Sequence, residues 1–175
     1  MTVLEPLRPV RGGFLRPFGC GSFIRDYLLG NGPNGSARID PDVGAPQADI
    51  FYYYKQALRQ VTALDRATRL EEKRARKEHR SISPDNIEIL TRKYLERLPY
   101  KSKGCRYHSF VTYFSTIQRL NWVEPSGIRE ASAFQDNYPK GNPRIYYRLT
   151  NAGRLAPEQA WANPQLALYG SRPGK

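Results

Sequence analysis

Several residue types are scarce in this chain, and each scarcity excludes a class of protein. The 175 residues include only two cysteines and two histidines. Cys20 and Cys105 lie far apart in different contexts, so the sequence predicts no disulfide framework and indicates a reducing compartment. No pair drawn from these cysteines, His79 and His108 has the spacing of metal ligands. We therefore expect neither a bound metal nor another cofactor.

Long apolar runs and enzyme motifs are missing as well. The sequence has no run of about 18 apolar residues that could cross a membrane, and its first residues lack the apolar core of a secretory signal. The motifs Gly-x-Ser-x-Gly and His-Glu-x-x-His and the Walker loop are absent. Gly19 and Gly21 indicate a simple turn rather than a phosphate cradle. The sequence therefore predicts a cytoplasmic protein that is not an enzyme.

Acidic residues are outnumbered in this sequence. The chain has 28 Lys and Arg against 16 Asp and Glu, which gives a formal net charge of +12. Such a charge says nothing about the fold, but it makes a polyanion the expected partner, and nucleic acid is the commonest polyanion. The 12 tyrosines interleave with basic residues, which suits base stacking, although most tyrosines are expected at the edge of a core.

Glycine and proline divide the chain. Residues 1–49 are rich in both, and they predict a loop-rich extension with one short helix, Ser22–Leu29, capped by Ser22. From Ala48 to about His79 this punctuation stops, and a long helix is expected. Its first half is amphipathic. The second half, Arg66–Arg80, is highly charged, and we hold a solvated helix end and a phosphate-contacting or dimer-forming arm equally open.

A second helix should follow at once. Ser83 is the expected N-cap, Pro84 occupies the first helical position, and Pro99 closes the helix. The basic turn PYKSKG, residues 99–104, leads into a third helix, Tyr107–Asn121. Two helices joined in this way have the outline of a helix-turn-helix.

The third helix should present two different faces. Phe110, Phe114, Ile117 and Asn121 recur at the spacing of a stripe that packs on a core. The opposite face has no acid and suits phosphates and base edges. It carries Ser109, Thr112, Tyr113, Thr116 and Arg119, and it is preceded by Lys101, Lys103 and Arg106. Tyr100, Tyr107 and Tyr113 cluster near the basic turn, and we assign them to a ligand.

Two strands are expected after this helix. Trp122–Glu124 is the first and ends at Pro125, and Arg144–Thr150 is the second, so that a hairpin forms across a long polar loop. A short helix over Ala156–Ala162 should follow, with Trp161 and Tyr169 packing on the domain or on a partner.

The order of the predicted elements resembles the winged helix-turn-helix domains of transcription regulators. That order is a helix, a Ser-Ile-Ser strand, two helices, a Trp-Val-Glu strand, a loop and a Tyr-Arg-Leu-Thr strand. The last strand is similar to the wing of the MarR and PadR types. The resemblance covers roughly residues 50–155. It implies a mainly α protein with a small β-hairpin (α+β) and a long first helix. It also implies a recognition helix at 106–121 and a basic wing at 140–148, with Lys140, Arg144 and Arg148 on or near the wing.

These patterns lead to one functional expectation and one alternative. We expect three segments, 1–49, 50–155 and 156–175. We also expect a nucleoid-associated protein that binds double-stranded DNA as a regulator or as a subunit of a larger complex. Its assembly would be a homodimer or that larger complex. The long wing loop, the extension and the lack of a separate effector domain argue against a ligand-sensing regulator. The alternative is a structural subunit that binds RNA or protein within a nucleoprotein assembly.

Overall fold

The computed structural model describes residues 19–31, 39–98, 107–130 and 143–170. These residues form a mainly helical structure with a three-stranded antiparallel sheet, which confirms the predicted α+β class. The elements are α1 (Cys20–Leu28), β1 (Ala45–Pro46), α2 (Gln47–Lys77), α3 (Pro84–Arg97), α4 (Tyr107–Arg119), β2 (Val123–Glu130), β3 (Arg144–Leu149), α5 (Asn151–Leu155), α6 (Glu158–Ala162) and α7 (Pro164–Tyr169).

The described residues belong to two compact units. Residues 55–98 form one, which we call the helical hairpin, and residues 19–31, 39–54, 107–130 and 143–170 form the other, which we call the mixed unit. This division differs from the expected segments 1–49, 50–155 and 156–175, because α1 and β1 belong to the same unit as α4 and the later strands.

The mixed unit has an aromatic core. Phe110, Phe114 and Ile117 on α4 are at most 1% exposed, as the helical spacing predicted. Phe114 meets the ring of Tyr147 on β3 at a centroid distance of 5.1 Å. Asn121 does not continue this stripe. It is exposed and has a φ of 57°, because the helix has already ended at Arg119 and the chain turns toward β2.

The sheet has the strand order β1-β3-β2, with both pairings antiparallel. The sequence did not predict β1, which is only two residues long and pairs Ala45 with Tyr147. Gly44 permits this pairing, since its φ is +74° and a Cβ there would lie 1.8 Å from the Tyr147 carbonyl oxygen. The predicted end of β2 at Pro125 is wrong. Proline is tolerated because β2 is an edge strand and its register shifts just after this residue.

The helix boundaries were predicted with mixed success. The α1 helix begins at Cys20, with Gly19 rather than Ser22 as its N-cap, and Gly21 lies inside the helix instead of in a turn. Ser83 caps α3 as expected, since its hydroxyl accepts a hydrogen bond from the Asn86 amide at 3.3 Å. The expected strand over Ser81–Ser83 is absent, because these residues form the turn that leads into that cap.

The C-terminal helices complete the mixed unit. Thr150 ends β3 by capping α5, and its hydroxyl accepts from the Gly153 amide at 3.0 Å. Trp161 is fully buried in the mixed unit, which is one of the two alternatives that the sequence left open. Its Nε1–H donates to the Gly153 carbonyl at 3.0 Å and its ring lies 4.6 Å from that of Trp122. The indole therefore ties α6 to the turn that precedes β2.

The helical hairpin consists of residues 55–77 of α2 and the antiparallel helix α3. At one end the Arg59 guanidinium donates to the carbonyls of Leu95 and Leu98, at 3.0 and 3.1 Å. On α2 the buried stripe is Ala63, Ala67, Glu71 and Ala75, whereas α3 has no buried residue between its caps. The charged half of α2 is therefore not solvated all around, since small side chains and one glutamate form a buried seam.

Glu71 is the polar centre of that seam, and we call its contacts the Glu71 latch. Its carboxylate, which has no exposed surface, accepts from Arg80 at 2.5 and 3.3 Å and from the Ser83 amide at 3.0 Å. The Asn86 side-chain amide is a further donor. These donors, led by Arg80, lower the pKa of Glu71 to about 2. The latch therefore fixes the turn that joins α2 to α3.

Candidate nucleic-acid interface

The α4 helix presents a polar stripe on the side opposite its aromatic core. His108, Thr112, Ser115 and Arg119 follow one another at i, i+4, i+7 and i+11, and all four are exposed. At 100° per residue this line lies nearly opposite Ile117. None of the four carries a carboxylate, so the stripe can approach an anion without repulsion.

The structure places the predicted site residues unequally. Lys101, Lys103, Arg106 and Lys140 lie outside the described residues. Three others are on the exposed side of α4, as expected, namely Tyr107, Ser109 and Thr112. The Tyr107 ring also packs edge-on against Phe51 at a centroid distance of 5.2 Å, so part of its surface belongs to the fold.

Thr116 is not on the exposed face. Only 7% of its surface is accessible, and its hydroxyl donates to the Thr112 carbonyl at 3.3 Å. The reason is that α4 is covered on more than one side, since α1, α7 and β2 all pack against it. The expectation that Thr116 faces a groove of DNA is therefore wrong.

Tyr113 points toward α1 rather than along the exposed stripe. It is half-buried, and burial is the main reason that its pKa is raised to about 12, with a smaller contribution from Cys20. The backbone of Gly21 provides a hydrogen-bond partner. Tyr113 therefore stays protonated at neutral pH and holds α4 against the first turn of α1.

Arg119 keeps its charge at the surface. Its Nη1 donates to the hydroxyl of Tyr169 at 2.7 Å, and its guanidinium carbon lies 5.6 Å from the centre of that ring. This cation-π contact orients the guanidinium, and the partner side chain carries no carboxylate. Arg119 is thus a positioned cation at the end of the stripe, and no acid of the described residues pairs with it.

The two arginines predicted for the wing are already paired with acids. Arg144 forms an ion pair with Asp49, and Arg148 pairs with Glu124 at 3.1 Å, directly across the β2–β3 ladder. Pairing with acids lowers the net positive charge of this face. The sequence signal was Glu124 itself, which becomes a cross-strand neighbour of Arg148 only once the register is known.

Sequence reasoning missed three exposed residues on α4: His108, Ser115 and Gln118. Stepping three residues from Thr112 would have found Ser115. Gln118 adds an exposed side-chain amide to α4, the group that can form two hydrogen bonds with adenine.

The fold and the site together define a mainly helical α+β protein with an acid-free polar helix face beside a small antiparallel sheet. Comparison of the chain with protein-family models, with curated proteins and with solved structures finds no match. Within the described ranges no three His, Cys, Asp or Glu side chains gather as metal ligands do, and no helix there is long and apolar enough to cross a membrane.

Proposed function

We propose that the mixed unit is a winged helix domain that binds double-stranded DNA, with α4 as its recognition helix. The order of elements supports this proposal. The mixed unit contains α1, β1, the start of α2, α4, β2 and β3, which is the order helix, strand, helix, helix, strand, strand. In this proposal β1 takes the place first assigned to Ser81–Ser83, and β2 and β3 are the wing strands.

The same proposal changes the partner of the recognition helix. The helix-turn-helix outline first paired α3 with α4, but these helices belong to different compact units. The N-terminal part of α2, residues 47–54, belongs with α4 and is the better candidate for the preceding helix. The helical hairpin is then an insertion between the two.

The observation that carries the proposal is the polar stripe of α4. A major groove about 12 Å wide admits one α-helix, and hydroxyl, amide and guanidinium groups are the ones that meet base edges and phosphates there. Thr112 and Ser115 supply hydroxyls, Arg119 a guanidinium and His108 an imidazole, along about three turns of helix with no acid among them. Their opposite side is anchored by buried aromatic rings, so the stripe is held rigidly.

The direct test is a binding series with the full chain. Its affinity for a random 30-bp duplex, a matched RNA hairpin and a single strand is measured across a range of salt concentrations. We expect the duplex to bind most tightly, with log affinity falling linearly with log salt as counterions are released. Equal binding to all three would contradict the proposal, and preference for the RNA hairpin would favour the alternative of an RNA-bound structural subunit.

A variant at the centre of the stripe locates the interface. Ser115→Glu should weaken duplex binding at least about tenfold, because a carboxylate would face phosphates or acceptor-rich base edges. Ser115→Gln introduces a side chain of the same size as glutamate but without the charge, so it should lose less duplex affinity. Gln159→Glu adds the same charge at an exposed position of α6 and should change little. If Ser115→Glu and Gln159→Glu weaken binding equally, α4 is not the recognition helix.

A further inference from the structure

A groove on the helical hairpin carries a second concentration of positive charge. It runs between α2 and α3 and is lined by Leu70 and Arg74 from the first helix and by Leu90, Lys93, Tyr94 and Arg97 from the second. Among the described residues, this lining includes three cations and no acid. The two leucines and Tyr94 are half-buried, so they form the floor while the cations form the walls.

The charges of α3 are segregated around the helix. Lys93 and Arg97 line the groove, whereas Asp85 and Glu88 lie on the far side of the helix and Glu96 lies on its flank, about 110° from the centre of the groove face at 100° per residue. On that far side Glu88 pairs with Arg92 at 3.2 Å. Among the residues described, no carboxylate forms an ion pair with the groove cations, including Arg74. The groove thus keeps its positive charge unneutralised.

The positive surface continues along α2. A shallow depression beside the groove is lined by Arg69, Glu72, Lys73, Arg76 and Lys77. Asp65 pairs with Arg69 at 3.0 Å, which leaves Lys73, Arg76 and Lys77 as the main cations there. These three residues occupy about one turn of helix, or roughly 6 Å, at 1.5 Å per residue. The groove and this face together form one basic surface.

The support beneath this surface is rigid. Tyr94 packs against the buried pair Ala63 and Leu98, and the Arg59 guanidinium ties α2 to the end of α3. The Glu71 latch holds the other end, and it also removes that carboxylate from the surface. The spacing between cations on the two helices is therefore set before any partner binds, which lowers the entropic cost of binding.

We propose that this basic surface binds the phosphate backbone of nucleic acid, as a contact separate from the α4 stripe. The proposal rests on the proposed function in taking nucleic acid as the partner, and it adds a sequence-independent contact made by the hairpin. Nucleic acid fits better than an anionic lipid surface. A membrane-binding helix needs a row of apolar side chains that project outward. Leu70 and Leu90 are instead recessed between the helices, and the exposed Leu64, Ile82 and Ile89 stand singly on α2, the connecting turn and α3.

Two adjacent residues on α3 give a matched test in the full chain. Lys93→Glu reverses a charge in the groove, and Arg92→Glu makes the same change in net charge on the far side of the helix. We expect Lys93→Glu to weaken binding to several unrelated 30-bp duplexes about tenfold and equally, and to reduce the log–log salt slope by about 1 or more. Arg92→Glu should change affinity less than threefold. Circular dichroism verifies that both variants keep their helices.

The outcomes separate the two proposals. If Ser115→Glu weakens binding while Lys93→Glu and Arg92→Glu behave alike, the hairpin proposal is overturned and the α4 proposal stands. If only Lys93→Glu weakens binding, the hairpin contact stands and the α4 proposal fails. If the wild-type chain binds no nucleic acid, both fail. Binding to phosphatidylserine vesicles that is lost in Lys93→Glu, without loss of duplex binding, would assign the surface to a membrane instead and overturn the hairpin proposal.

Discussion

The two units of this chain bury different kinds of side chain. The mixed unit buries large aromatic and aliphatic residues, among them Phe23, Phe110, Phe114 and Trp161. The described part of the helical hairpin buries four alanines, two leucines and Thr62, with Glu71 in the middle of the seam. Apolar area removed from water stabilises a fold by about 25 cal/mol per Å². The mixed unit therefore has much more of this stabilisation available, and the hairpin depends more on specific polar contacts.

This difference teaches how charge is used in each unit. In the mixed unit Asp49 and Glu124 face the arginines of β3 and reduce the net charge of the sheet. In the hairpin the buried acid of the seam, Glu71, pairs with Arg80. It is therefore not available to pair with the outward cations of the groove. The mixed unit therefore presents the polar stripe of α4 above its aromatic core, whereas the helical hairpin presents a basic surface.

The largest expected effect tests the aromatic core. Trp161→Ala should lower the free energy of unfolding of the mixed unit by about 3–5 kcal/mol, because it leaves a cavity beside Trp122. Urea denaturation followed by the fluorescence of the remaining tryptophan measures this. Trp161→Phe fills part of the cavity and should lose less. A loss below about 1 kcal/mol for Trp161→Ala would mean that α6 is not part of the core.

The second effect tests the polar seam of the hairpin. The folded pKa of Glu71, about 2, lies below its ordinary value of 4.5. The stability that it contributes is therefore fully present above pH 4.5 and is lost as the pH falls toward 2. Helix content measured by circular dichroism from pH 7 to pH 2 should show this loss.

Glu71→Gln is the matched variant for that titration. It keeps the shape but not the charge, so it should lower the thermal midpoint of the hairpin at pH 7 and lack the wild-type loss between pH 4.5 and 2. Identical pH profiles for the two proteins would show that the Glu71 latch does not stabilise the hairpin.

The smallest effect tests how closely the two hairpin helices approach. Ala67→Leu adds three carbon atoms to the buried seam and should cost about 1–3 kcal/mol through overpacking. Ala167→Leu makes the same change at an exposed position of α7 and should be nearly neutral. Thermal unfolding of both variants provides the comparison. If Ala67→Leu stabilises the hairpin, the seam contains room that the alanines do not fill.

Local patterns predicted α2 and α3 well, whereas α5 and α7 were not predicted. The uninterrupted run from Ala48 and the Ser83-Pro84 start are short-range signals, and both helices form at the expected residues. The two-residue strand β1 escaped prediction because no local pattern marks it. It exists only because β3 offers an unpaired edge and Gly44 can approach it closely.

The candidate site was only partly predictable. Helical periodicity identified Thr112 and Ser109 as exposed, but it could not foresee that packing around α4 would bury Thr116 and turn Tyr113 toward α1. It also could not show that Arg144 and Arg148 are paired with acids, because one partner is 95 residues away and the other depends on strand register. Contacts across such distances in sequence are set by the tertiary fold.

The sequence by itself determined the charge of this protein, its long helices and the aromatic stripe of α4, because these follow from composition and from periods of three to four residues. Only the tertiary structure decided that α1 and β1 belong with α4, that Glu71 is buried beneath a basic surface, and which cations remain unpaired. These features depend on contacts between residues that are far apart in the chain, and local sequence patterns do not predict such contacts.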